Sequence, residues 1–75
     1  MIYFVTSHLN QEVHVQALGF TRHVLDYARA NTPAEARAKA EAHYAKRPGL
    51  KVERADVRPA VKQDLWAYAF VEQIL

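Results

Sequence analysis

Apolar and polar residues change their spacing several times along this chain, and the changes mark out its elements. Ile2-Tyr3-Phe4-Val5-Thr6 is a run of β-branched and aromatic residues that predicts a first strand. Leu9-Asn10-Gln11 predicts a turn. Glu12-Val13-His14-Val15-Gln16-Ala17-Leu18 then alternates polar with apolar until its last pair, the pattern of a second strand in a hairpin. Gly19 interrupts the alternation. Arg22 to Ala30 continues as extended chain, either a third strand or a prolonged second strand bent at the glycine.

The period changes at Thr32-Pro33-Ala34-Glu35, which supplies an N-cap, a proline at the first helical position and a glutamate at the third. The threonine hydroxyl is placed to accept from the third amide, and the carboxylate to reach back to the Thr32 amide. Alanines at 34, 36, 38, 40, 42 and 45 raise helix propensity. Glu35 with Lys39 and Arg37 with Glu41 form i,i+4 pairs. Lys46 and Arg47 complement the negative end of the helix, and Pro48-Gly49 stops it. Ala36, Ala40, His43 and Tyr44 share the expected core face.

From Leu50 to Arg58 charges fall on both faces, which predicts an edge strand guarded against stray pairing, ended by Pro59. The last segment, Leu65 to Leu75, sets Trp66, Tyr68 and Phe70 at every second position, the period of a strand with an aromatic face. A helix from Pro59 is the alternative, since Val61, Leu65, Tyr68 and Leu75 roughly share a side, although Glu72 would sit in its middle. Together these elements predict one α+β domain spanning residues 1–75. A small antiparallel sheet of three or four strands packs on one helix of about 33–46, in β-β-α-β-β order.

Composition narrows what such a domain does. A chain of 75 residues buries only about 60% of its unfolded surface, so its stability margin is small. Without cysteine it has no disulfide, thiolate nucleophile or cysteine-based zinc site, which agrees with a reducing compartment. With no signal-like opening and no apolar run long enough for a bilayer, the expectation is a cytoplasmic protein without membrane contact. The net charge of +2 is unevenly spread. Residues 37–62 hold eight bases against three acids, while the segments on either side are net negative. A basic middle points to an acidic partner.

Reaction chemistry finds little support. Ser7 and His8 are neighbours on a strand and point to opposite faces, so they cannot form a nucleophile–base pair. Glycine occurs only at 19 and 49, so no phosphate loop is present. His8, His14, His23 and His43 show no helical i,i+4 pair. His14 and His23 could meet across strands, but two imidazoles without a carboxylate make a poor metal site. We therefore expect no enzyme activity, cofactor or metal. Two binding surfaces stand out: the bases Lys46, Arg47, Lys51, Arg54 and Arg58, and the aromatics Trp66, Tyr68 and Phe70. One helix cannot cover both faces of a sheet, and aromatic residues and arginine are enriched at binding hot spots.

The order of extended chain, Ala30-Asn31-Thr32-Pro33-Ala34-Glu35-Ala36, alanine-rich helix and charged strand resembles small phage-encoded α+β proteins, among them anti-CRISPR and other host-takeover inhibitors. The likeness covers residues 22–58, and its one motif is the helix cap. It implies a cysteine-free domain that acts by occupying a surface of a larger complex. Many such inhibitors are strongly acidic DNA mimics. The basic charge here implies a direct block or an induced oligomer instead. The leading expectation is a protein-binding or inhibitor module, homodimeric, using the Trp66/Tyr68/Phe70 face and its flanking bases. The alternative is an RNA- or DNA-binding module using the basic 46–58 region.

Overall fold

A computed structural model describes residues 1–15, 19–60 and 71–75. Two long strands, β1 (Ile2–Val15) and β2 (Gly19–Arg29), pair antiparallel from Ile2↔Arg29 to Val15↔Gly19. The helix α1 (Pro33–Ala45) follows, then β3 (Val52–Pro59), which pairs antiparallel with the other side of β1. A short β4 (Val71–Ile74) completes the order β3-β1-β2-β4. Among the described residues the expected α+β class, the β-β-α-β-β order and the one helix are present. The sheet is not antiparallel throughout, however, because β4 runs parallel to β2. Backbone bonds fasten its end, with Leu75 N–H donating to Tyr27 O at 2.7 Å and Arg29 N–H to Leu75 O at 3.1 Å.

The expected turn at Leu9-Asn10-Gln11 does not form, and β1 runs through it. Between His8↔His23 and Val13↔Thr21 the register shifts, so that Leu9 to Glu12 bulge opposite Arg22 alone. The odd-numbered residues of β1 keep one face through the bulge, so Leu9, Val13 and Val15 all face inward and are buried. Asn10, the residue that looks like a turn former, docks the far loop instead. Its amide Nδ2 donates to Gly49 O at 2.9 Å, and its Oδ1 accepts from Lys51 N–H at 3.0 Å. Gly49 holds φ at +80°, a left-handed conformation that suits glycine and sharpens this loop.

The helix begins as its sequence dictates. Thr32 Oγ1 accepts from Glu35 N–H at 3.1 Å, and Pro33 occupies the first turn. The Glu35 carboxylate reaches past Thr32 to accept from Asn31 N–H at 3.3 Å. Arg37 and Glu41 pair at 3.0 Å as expected. Lys39 turns away from Glu35, and its ammonium donates to Arg29 O. Ala36 and Ala40 are fully buried against Tyr3, Val5, Ala28 and Ala30, with Ala55 and Val57 of β3 beside them. Short side chains on the helix let its backbone lie close to the sheet. At its C-terminal end, Tyr44 and Leu50 close a second cluster with Leu9, Val13, Val15 and Val24. Phe4 and Tyr27 pack edge to face on the opposite side of the sheet, at 5.9 Å.

Candidate functional site

The basic residues that looked like one patch in the sequence are divided between two places. Arg54 and Arg58 lie on β3, on the sheet face away from α1. The Arg58 guanidinium sits 4.9 Å over the Phe4 ring. Arg54 Nη2 donates to Asp56 Oδ2 at 3.1 Å, and His8 Nε2–H donates to the same oxygen at 2.9 Å. These donors hold the Asp56 carboxyl below its ordinary pKa, the His8 bond most of all. His8 stacks edge-on against His23, with ring centroids 4.4 Å apart, because the two are partners across β1 and β2. The expected approach of His14 to His23 is thus replaced by a His8–His23 pair, since the bulge shifts the register by three residues. Among the described residues no group of three histidines, cysteines or acids is arranged to hold a metal ion.

Lys46 and Arg47 lie elsewhere, at the C-terminal end of α1, on the rim of a cleft of about 420 Å³. Its floor is apolar: Val13, Val15, Val24, Tyr44 and Leu50 line it, and all five are buried. Its rim is basic, with His43, Lys46 and Arg47 on the helix side and His14 on β1. The cleft opens between the far end of the β1–β2 hairpin and the end of the helix. It exists because the hairpin extends past Asn10. Lys51 lies just outside, exposed, with its backbone N–H held by Asn10.

Two features fix the walls. Tyr44 Oη donates to Asp26 Oδ2 at 2.6 Å inside the fold, where Asp26 is 0% exposed, so the Tyr44 ring is anchored at both ends. Leu50 N–H donates to Arg47 O at 3.1 Å, which ties the Pro48–Leu50 loop to the helix end. His43, half-buried on the rim, has its pKa lowered, first by burial and then by the neighbouring Lys46 charge, so its ring is neutral near pH 7. At the hairpin side, His14 packs edge-on against Phe20 at 5.3 Å, and Phe20 is 73% exposed.

Of the residues predicted for the site, Lys46 and Arg47 fall together at the cleft, while Lys51, Arg54 and Arg58 do not join them. Trp66, Tyr68 and Phe70, and the dimer face built on them, lie outside the described residues. Sequence reasoning missed Asp26 and the part that His14, His43 and Tyr44 take in lining the cleft. Only the basic pair after the helix signalled this end of the molecule. No helix among the described residues is long and apolar enough to cross a membrane. Compared with protein-family models, with curated proteins and with solved structures, the chain matches none.

Proposed function

We propose that the chain is a small binding module, without reaction chemistry of its own, that grips an acidic segment of a protein partner at the hairpin-and-helix end. The observation that carries this reading is the cleft itself, where Lys46 and Arg47 rim a preformed floor of Val13, Val15, Val24, Tyr44 and Leu50 and, among the described residues, no carboxylate pairs with either base. An apolar floor beside an aromatic ring and an arginine has the composition of a binding hot spot. Occupying a surface of a larger complex, the mode implied by the likeness to phage inhibitors, needs no more than this.

Nucleic-acid binding is the second reading, and the arrangement of charge weighs against it. Phosphate affinity grows with the number of cations along one track. Here Arg54 is already engaged by Asp56 and Arg58 lies over Phe4, at a different part of the molecule from Lys46 and Arg47.

Affinity capture from the native cell tests the proposal with three variants beside the parent chain. Lys46→Glu/Arg47→Glu should lose a protein that Phe20→Ala and Arg54→Glu/Arg58→Glu retain. The reverse pattern would move the function to the sheet face. A salt-sensitive gel shift with mixed nucleic acids, lost in both charge-reversed variants, would replace the protein partner with RNA or DNA.

A further inference from the structure

We infer that the cleft is a socket for one apolar side chain that adjoins a carboxylate, as a leucine- or phenylalanine-bearing acidic loop of a partner protein would present. The inference rests on the proposed partner contact and narrows it to a class of residue. Three observations converge on it.

The volume, about 420 Å³, lies toward the small end of ligand sites, which run from about 300 to 1,000 Å³, so it suits a side chain or two. The floor is already built. Tyr44 is held by Asp26 and Leu50 by Arg47 O, so an incoming group need not order them. The rim carries unspent charge, because among the described residues no carboxylate pairs with Lys46 or Arg47. The end of α1 works against a bound anion, with roughly half a negative charge, but two full positive charges outweigh it. The amides of Lys46 and Arg47 also already occupy the His43 and Tyr44 carbonyls, at 3.4 and 3.2 Å.

The chemistry of the ligand follows from this combination. A bare anion would leave the apolar floor uncovered, and a neutral apolar group would leave both cations idle. Only a group with both characters uses the whole site.

The test is an amide NMR titration of the full chain with N-acetyl-leucine, N-acetyl-phenylalanine, their uncharged amides, and N-acetyl-aspartate. The two apolar acids should give saturable shifts confined to residues 13–15, 24 and 43–50, with dissociation constants in the millimolar range. Their amides should bind about two- to fivefold more weakly, the scale of a partly exposed ion pair. Lys46→Gln/Arg47→Gln should abolish that difference, and N-acetyl-aspartate should bind more weakly than either apolar acid. Absence of saturable shifts, shifts centred on Arg54 and Arg58, or equal binding of acid and amide would overturn the socket. If that happened while partner capture still depended on Lys46 and Arg47, the protein-binding proposal would stand without it. Saturable shifts with capture unaffected by those variants would overturn the protein source of the ligand.

Discussion

Removing one oxygen from Tyr44 should cost this domain a large part of its stability. The Tyr44 hydroxyl donates to Asp26 Oδ2 at 2.6 Å, with Tyr44 7% and Asp26 0% exposed, so water cannot replace it without opening the fold. A buried hydrogen bond contributes about 0.5–1.5 kcal/mol net, and leaving a buried acceptor without its donor costs about 1–3 kcal/mol. Tyr44→Phe keeps the ring and its packing against Leu9, Val13 and Val24, so the bond is isolated and about 2 kcal/mol is expected. Domains hold about 0.05–0.15 kcal/mol per residue, or roughly 4–11 kcal/mol for this chain. The loss is therefore between about a fifth and half of the total. In a thermal melt it should lower Tm by about 8–16 °C, since a domain of this size moves about 4–8 °C per kcal/mol. A double-mutant cycle with Asp26→Ala assigns the effect to the pair, with a coupling of at least about 1 kcal/mol expected. Stability within about 0.5 kcal/mol of the parent chain, the scale of an ordinary surface change, would refute the argument that this bond anchors the cleft wall.

Three further outcomes follow from other contacts. Asn10→Ala removes both side-chain bonds to the Gly49–Lys51 loop. It should cost about 1–2 kcal/mol in urea unfolding and speed hydrogen exchange at the Lys51 amide, and unchanged exchange there would contradict the docking role. For His43, whose pKa is lowered by burial and then by Lys46, the unfolded chain takes up its proton first. Stability from this group therefore falls as pH drops through about 6.5. Lys46→Gln should raise the His43 titration seen by NMR only part of the way to its ordinary value, because burial is the larger cause. Asp56, whose pKa is lowered chiefly by its His8 bond, adds stability above its ordinary value of 3.8 that is lost as pH falls through and below it. Asp56→Asn should flatten that acid limb by losing stability at pH 7 while changing little at acid pH, and an equal loss at both pH values would count against the assignment.

What could be read from the sequence was what the chain decides over a few residues. Thr32, Pro33 and Glu35 set the start of α1 within one turn, and Lys46-Arg47-Pro48-Gly49 set its end. The mixed charges of Val52–Pro59 marked an edge strand because an edge needs them wherever it lies. Contacts between distant residues were not readable. Asn10 resembles a turn former until its amide meets Gly49 and Lys51, which are 39 and 41 residues away. Asp26 resembles a surface acid until Tyr44 lies over it. The parallel direction of β4 depends on where the chain re-enters the sheet, and the local pattern of Val71–Ile74 fits either direction.

The misplaced turn and the missed site have a single cause. A hairpin that reversed at Leu9-Asn10-Gln11 would send Val13 and Val15 back along β1 and away from the helix end. The apolar floor of the cleft would then lose one side, and Lys46 and Arg47 would rim no cleft. Instead, three extra residues in β1 absorb the irregularity, keep Leu9, Val13 and Val15 on one face, and carry the strand the further distance to the end of α1. The bulge spends local regularity of the ladder to bring two distant segments together, as bulges near binding sites commonly do. The helix end supplies charge that the sequence displays openly. The bulge supplies the surface on which that charge can act, and it is held in place by an asparagine whose partners lie on the far side of the helix in the chain.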